Sequence, residues 1–253
     1  MEVFVKVAVK GIVIKEASLC SGDKSITILT DEYGIITAFI RHRHSLKKNK
    51  IFMIRTFAYC SFVLFSGKSG YTVDDIEIID LFWNIKNDIR FLAISQYFCE
   101  ICLALLPEKE CSKDFLRLLL NSIFYISSKK KEIKFIKAIF EMRACSLCGY
   151  IPNLICCQKC GVYESEIMYF SLNNANILCV KCAKHDKNNT NEKKLKKGEL
   201  AALRHIVYSD FKKLFSFDLS VDALKTISDL SEKYIKYYVK SDFKTLEIYK
   251  EIE

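Results

Sequence analysis

No stretch of this sequence reaches the roughly 18 uninterrupted apolar residues that a membrane-spanning helix needs. The run FLAISQYFCEICLALL is bounded by Arg90 and Glu108 and broken by Glu100, so membrane insertion is not expected. A signal-peptide pattern is missing as well, because lysines and a glutamate interrupt the apolar residues of MEVFVKVAVKGIVIKE. The twelve cysteines are therefore expected in a reducing cytoplasm and not in a disulfide framework. None of the eight glycines forms a phosphate-binding loop or a dinucleotide fingerprint. Histidine is scarce, with His42 and His44 in a basic stretch, His205 beside Arg204, and His185, and no triad emerges from them. No internal repeat is visible. These absences turn attention away from catalysis and toward binding.

Against that background the cysteine pairs Cys157/Cys160 and Cys179/Cys182 stand out, spaced C-x2-C-x18-C-x2-C. Two residues between paired thiolates let one tight turn aim both sulfurs at a single ion, and the intervening segment has the length of a hairpin that returns the second pair. Gly161 follows the first pair and supplies backbone freedom for the turn. Four cysteines leave no coordination position open for water, so one zinc ion with a structural role is expected. Alternatives remain among the neighbours. Cys156 would replace Cys157 if the turn shifted by one residue, Cys145 and Cys148 end a helix just before the module, and His185 is a further substitute. A third C-x2-C pair, Cys99/Cys102, lies in an apolar helical run, where cysteine packs as a small hydrophobe.

The net charge of +9 is clustered. The window RHRHSLKKNKIFMIR, from Arg41 to Arg55, has six basic residues (Arg41, Arg43, Lys47, Lys48, Lys50, Arg55) and no acid. Further clusters run from Ser128 to Lys137 and from Lys184 to Lys197. Any one lysine run is equally well a solvated loop, but three in one zinc-bearing chain point to nucleic acid.

Residues 1 to about 82 read as strands. Val3, Val5, Val7 and Val9 alternate with Phe4, Lys6, Ala8 and Lys10, and further strands are expected at Ile26–Thr30, Ile35–Ile40, Ile51–Phe65 and Tyr71–Leu81. Five short strands joined by glycine-bearing turns suit a small closed barrel, and an OB-fold has that count. From about Asn84 the period becomes helical, through Ile85, Ile89, Leu92, Gln96 and Cys99. Ser112 is a candidate N-cap for a helix over Phe115–Ile126, and another helix runs from Glu132 to Leu147 before Gly149 and Pro152 stop it. The stretch 184–197 reads as a loop, followed by helices at about 198–215 and 220–240. The predicted class is α+β: an OB-fold barrel over 1–82, then a helical domain over 83–253 with a zinc module inserted at about 150–185.

Phosphate contacts are expected from Arg41, Arg43, Lys47, Lys48 and Lys50, with Lys24 as an outlying candidate. Phe39, Phe52 and Phe57 suit base stacking or the core. Lys129–Lys131 offer a basic rim for an acidic peptide. Asp74, Asp75 and Glu77 lie on a strand-like segment and read as a solvated face, with a metal-dependent nuclease as the enzyme alternative. An RNA-binding or transcription-associated zinc protein is the alternative among binding modules.

The order of parts resembles the RecO family of bacterial recombination mediators over nearly the whole length. The resemblance is carried by GIVIKEASLCSGDKSITILTDEYGIITAFIR, FVLFSGKSGYTVDDIEIIDLF, FEMRACSLCGYIPNLICCQKCG, FSLNNANILCVKC, LAALRHIV and KYYVKSDFKTLEIY. One departure is that Arg41-His42-Arg43-His44 contains no glycine where the family's loop usually has one. The resemblance implies an OB-fold, a helical domain and, as in some members, a four-cysteine zinc site. It also implies binding of single- and double-stranded DNA and annealing of complementary strands. The implied partners are RecR and the acidic C-terminal tail of single-strand DNA-binding protein, with RecF and RecA engaged less directly in loading RecA at gaps. It implies no enzymatic step and a cytoplasmic, nucleoid-associated location.

Overall fold

A computed structural model describes residues 5–19, 22–41, 53–67, 70–107, 110–185 and 192–253. These residues divide into two compact units, 1–129 with 243–253 and 130–242. The change from strands to helices, at Asp80–Trp83, falls well inside the first unit.

The first unit is built on a closed barrel of β1 (Val5–Ser18), β2 (Lys24–Thr30), β3 (Ile35–Ile40), β4 (Tyr59–Gly67) and β5 (Gly70–Asp80), in the order β1-β2-β3-β5-β4. All neighbours are antiparallel except β3 and β5, which pair in parallel at Ala38↔Tyr71 and Phe39↔Thr72. This is the five-stranded barrel expected of an OB-fold. Its interior is filled by Val9, Val13, Ile26, Ile28, Ile36, Ala38, Ile40, Phe62, Leu64, Val73 and Ile76, the inward halves of alternating strands. β1 serves both sheet edges: Val5–Ile12 pair with β4 and Gly11–Ser18 with β2. Gly11 lies at the changeover, where a Cβ would stand 2.5 Å from Ile28 Cγ2 and 2.7 Å from the Leu29 carbonyl oxygen, so only glycine fits. A register shift between Val13 and Lys15 adds Ile14 as an extra residue. Ile12 and Ile14 are fully buried outside the barrel interior, because helices cover that part of β1.

The expected strand over Ile51–Phe65 is corrected in part. Ile51 and Phe52 lie outside the described residues, and the strand starts only at Tyr59. Phe57 adopts a left-handed backbone with φ 75° and Ile54 turns into the barrel interior, so apolar residues that look like a strand instead plug and turn.

Beyond the barrel come a 3₁₀ turn (Trp83–Asn87), α1 (Ile89–Leu105) and α2 (Lys113–Ser128), and the chain returns to this unit as α7 (Lys244–Ile252). Asp88 caps α1 by accepting from the Arg90 N–H at 2.9 Å. The buried side of α1 is carried by Phe91, Ile94, Tyr97, Phe98 and Ile101, while Ile89 and Leu92 are 64% and 41% exposed. The helical period holds, but residues spaced by it do not all lie on the buried face. Cys99 and Cys102 are fully buried in α1, as their apolar surroundings suggested. Ser112 occupies the N-cap position of α2, where its carbonyl accepts the Leu116 N–H at 2.9 Å but its side chain makes no cap bond. Its hydroxyl instead donates to the Thr30 carbonyl of β2 at 3.1 Å. Helix α7 was not foreseen. It is nine residues long and is fixed by burial of Leu246 and Tyr249, so packing and not length makes it a helix.

The second unit pairs α3 (Ile133–Leu147) with α6 (Val221–Val239), adds α5 (Lys197–Tyr208), and carries a three-stranded sheet ordered β7-β6-β8. The strands are β6 (Ile167–Ser171), β7 (Asn176–Cys179) and β8 (Glu192–Lys196). β8 corrects the reading of 184–197 as loop. Leu195 is the single apolar residue among lysines, it is buried opposite Met168, and one inward residue is too faint a pattern to read. Residues 186–191 lie outside the description. Helix α5 ends at Tyr208, seven residues before the expected boundary at 215. Between α3 and α6, Lys137 bonds Glu141 and Glu232, each at 3.0 Å, and Glu141 accepts from Ser231 Oγ at 2.6 Å. Lys137 is 4% exposed and Glu141 fully buried, so each charge depends on the others for solvation. Among the described residues no helix is long and apolar enough to cross a membrane.

Candidate metal centre and nucleic-acid interface

The four cysteines meet because two short turns are laced to one hairpin. β6 and β7 pair antiparallel from Met168↔Cys179 to Ser171↔Asn176, the hairpin expected between the two cysteine pairs. The first turn is tied to it by Asn153 N–H to Ala175 O at 2.7 Å and Gln158 N–H to Ile177 O at 3.0 Å. The turn closes on itself with Gly161 N–H to Cys157 O at 2.9 Å, and Gly161 takes φ 72°, where a side chain would be strained. Cys179 ends β7 and precedes the five-residue α4 (Val180–Lys184), which brings Cys182 back on its first turn.

The sulfurs of Cys157, Cys160, Cys179 and Cys182 all lie within 4.8 Å of one another, and Cys160 and Cys179 are 3.7 Å apart. A tetrahedron of four ~2.3 Å zinc–sulfur bonds has edges of about 3.8 Å, so the geometry suits such an ion. Cys157 is 1% exposed and accepts the Cys179 N–H at 3.3 Å. Burial pushes its thiol up, but the N–H groups of Cys179, Cys160 and Lys159 outweigh this and hold it at about 6. Cys182 is pushed up to about 12, chiefly by the Cys160 and Cys179 thiols. Four thiolates this close repel unless a cation sits among them. Cys145, Cys148, Cys156 and His185 are not part of this group. Cys145 is fully buried in α3 and Cys148 is its C-cap.

One residue that the sequence reading passed over holds the module in place. Arg204, on α5, donates Nε to Leu154 O at 2.7 Å and its terminal nitrogen to Ile155 O at 2.9 Å and Tyr163 O at 2.7 Å. Its guanidinium lies 4.1 Å from the centre of the Tyr163 ring and 3.5 Å from Glu164. A single planar fork thus satisfies three carbonyls on both flanks of the first cysteine turn. No spacing rule marks such a residue, because its partners are backbone atoms about 40 to 50 positions away.

On the barrel, Arg41 is exposed and directly follows β3. Arg43, Lys47, Lys48 and Lys50 lie outside the described residues, as does Phe52. The strand registers locate the point of departure. Lys24 pairs with Ile40, Ser18 with Lys24, and Phe39 with Thr72, so the basic run leaves the barrel beside the β1–β2 and β4–β5 turns. Lys24 is partnered: its ammonium bonds the Glu16 carboxylate and the Ile54 carbonyl, and it is 16% exposed. Phe57 is 2% exposed and belongs to the core, while Phe39 is half-buried. Lys129, the C-cap of α2, stands 5.5 Å from the Phe91 ring. In the other unit Lys131 is bound to Asp218 at 2.6 Å and to Phe217 O at 2.9 Å.

The strand carboxylates are separated by a bulge. Val63 faces Asp75 and Leu64 faces Val73, which leaves Asp74 as the extra residue. Asp74 bonds Lys6 at 2.8 Å, Asp75 accepts the Ile76 N–H at 2.8 Å, and Glu77 is exposed. No metal-binding group among the described residues includes them.

Barrel, helical unit and cysteine cluster together define an OB-type barrel protein with a helical domain and a group of four cysteines that could hold a metal ion. Residues 1–82 match the family model described as "Recombination protein O N terminal", and residues 86–247 match "Recombination protein O C terminal". The chain belongs to the RecO family. A relative from Acetivibrio thermocellus named "DNA repair protein RecO" is 32% identical over 243 residues, 96% of each chain. Proteins of the same name from Caldicellulosiruptor saccharolyticus and Thermoanaerobacter sp. strain X514 are 26% and 25% identical, covering 96% and 93% of this chain and 98% and 94% of their own.

Proposed function

We propose that this protein is a recombination mediator in DNA repair, which binds single- and double-stranded DNA through the barrel and takes no catalytic part. The observation that carries the reading is the match to both halves of the family along nearly the whole chain. Residues 1–82 are taken as the nucleic-acid-binding domain and 83–253 as the helical domain, with the module at about 150–185 as its insertion. Bringing two complementary strands together requires phosphates on both to be neutralised, and cations that replace condensed counterions do this. Arg41, Arg43, Lys47, Lys48 and Lys50 are the proposed contacts. Lys24 is withdrawn from that set, since its charge is matched by Glu16.

The ion is proposed to be one zinc. Four soft thiolates at tetrahedral spacing favour zinc over the oxygen-seeking divalent ions. Its work is local folding, because all four positions are taken by protein. By the family's pattern, RecR and the acidic tail of single-strand DNA-binding protein are the proposed partners, with RecF and RecA engaged at the loading step, in the bacterial cytoplasm at the nucleoid. The test is annealing of complementary strands precoated with single-strand DNA-binding protein. Acceleration supports the reading, and none removes its central activity. Competition between DNA and RNA of matched sequence separates it from an RNA-binding zinc protein, for which clear RNA preference is the sign.

A further inference from the structure

The chain's only tryptophan stands in solvent. Trp83 opens the 3₁₀ turn that follows β5 and is 57% exposed, although an indole is among the side chains that gain most from burial. The turn itself puts it there. Residues three apart eclipse in a 3₁₀ turn, so Phe82 and Ile85 go inward together while Trp83 and Lys86 share the outer side. Phe82 takes a left-handed backbone with φ 44°, uncommon for a bulky side chain, where the strand gives way to the turn.

The surroundings of the indole are those of a base-stacking surface. The Lys86 ammonium lies 5.0 Å from the centre of the Trp83 ring, and among the described residues no carboxylate pairs with it. Asn84 Nδ2 donates to Ser127 O at 3.3 Å, which brings the turn against the C-terminal end of α2. There Phe124, one helical turn before Ser127, is exposed, and the C-cap Lys129 holds its ammonium 5.5 Å from the Phe91 ring of α1. The nearby acids are engaged locally. Asp88 accepts from Arg90 on both oxygens, at 3.1 and 2.7 Å, and Asp80 accepts the Phe82 N–H at 2.9 Å. Rings set among lysines suit a nucleic acid strand, because bases stack on the rings while the cations meet phosphates.

This surface is separate from the one at Arg41. Arg41 follows β3, whose Phe39 pairs with Thr72 near the start of β5, whereas Trp83 lies just past the end of β5 at Asp80. About 25 Å of strand separates the two points. We propose that Trp83 and Lys86, with Phe124 and Lys129 beside them, form a second surface for single-stranded DNA, on which a base stacks against the indole and Lys86 meets an adjoining phosphate. The proposal rests on the reading that this protein binds DNA and deepens it, since annealing needs a place for each of two strands.

The test uses the full chain and a single-stranded oligothymidylate, with total binding followed by anisotropy of a labelled strand. In a parallel titration with unlabelled strand, the lone tryptophan reports on this surface alone. Bound strand is expected to lower the indole emission and to shield it from acrylamide. Lys86→Gln should weaken the binding read from the indole about fivefold and reduce its log–log salt slope by about 0.7. Trp83→Ala should slow annealing of complementary strands about five- to tenfold, and Trp83→Phe should restore most of the rate, because a phenyl ring also stacks. An indole that keeps its emission and its acrylamide sensitivity while the strand is bound overturns the proposal and leaves the surface to a protein partner. Annealing at the wild-type rate by Trp83→Ala overturns it as well. If the labelled strand does not bind wild type, the DNA reading itself fails and takes this surface with it; a bound strand with a silent indole rejects this surface alone.

Discussion

The barrel and the cysteine module solve the same folding problem with different means. The barrel closes every edge with backbone ladders and buries a continuous apolar interior from Val9 to Ile76, so its stability is spread over many side chains. The module has a two-strand hairpin, a third strand of five residues, and few buried apolar residues of its own, among them Leu154, Met168, Phe170, Ile177 and Leu195. Its turns converge on four cysteines that, as thiolates, repel one another unless a cation is shared. One region is fixed by solvent exclusion, and the other by backbone ties, one arginine and, on the proposed reading, an ion. Damage should therefore stay local in the module and spread in the barrel.

The sharpest way to break this comparison is to remove the ion. Chelation or Cys160→Ser should abolish amide-exchange protection over 153–182, because the free energy of binding a structural ion is folding free energy, on the order of 10 kcal/mol. Barrel amides such as those of Phe62 and Leu64 should be unaffected, and freshly purified protein should contain about one zinc per chain. Loss of barrel protection on chelation would erase the distinction. Next in size, Phe62→Ala should cost about 3–5 kcal/mol through a cavity in the barrel. Denaturant titration should give the same loss with or without chelator.

Two smaller effects sharpen the picture within the second unit. Glu141→Ala removes one of the two carboxylates bonded to buried Lys137, and should cost about 3 kcal/mol by leaving that charge half-compensated. A Lys137→Met/Glu141→Leu double variant should recover much of the loss in the same melt. Arg204→Ala should cost about 1–3 kcal/mol, since it strands three carbonyls. It should raise exchange at 154–164 while the metal content stays the same. Metal loss in that variant would mean the arginine supports the ion itself and not only the fit of the module onto α5.

What the sequence disclosed follows the same division. Metal spacing is a local, discrete code, and the spacing alone singles out Cys157, Cys160, Cys179 and Cys182, whose sulfurs the fold brings within 4.8 Å of one another. The barrel's count of strands was readable from their period of two. Face and partner were not. Ile89 and Leu92 keep helical spacing yet face solvent, because α1 is apolar on most sides and period alone cannot choose among them. β8 was hidden because lysine dominates an edge strand whose only inward residue is Leu195. The partners of Lys24, an outlying candidate for phosphate contact, were not legible because Glu16 and the Ile54 carbonyl come from another strand and a distant segment. Tertiary pairing decided each of these cases.

The central claim is that DNA is held by the barrel loop and that the metal site only maintains local structure. It is tested most directly by the salt dependence of DNA binding in two variants measured side by side. Replacing Arg41, Arg43, Lys47 and Lys48 with alanine should lower the log–log slope by about 3 for single-stranded DNA, at roughly 0.7 per contact, while Cys160→Ser leaves the slope unchanged. An unchanged slope in the fourfold variant, with a reduced one in Cys160→Ser, would contradict the account and move the DNA surface to the module.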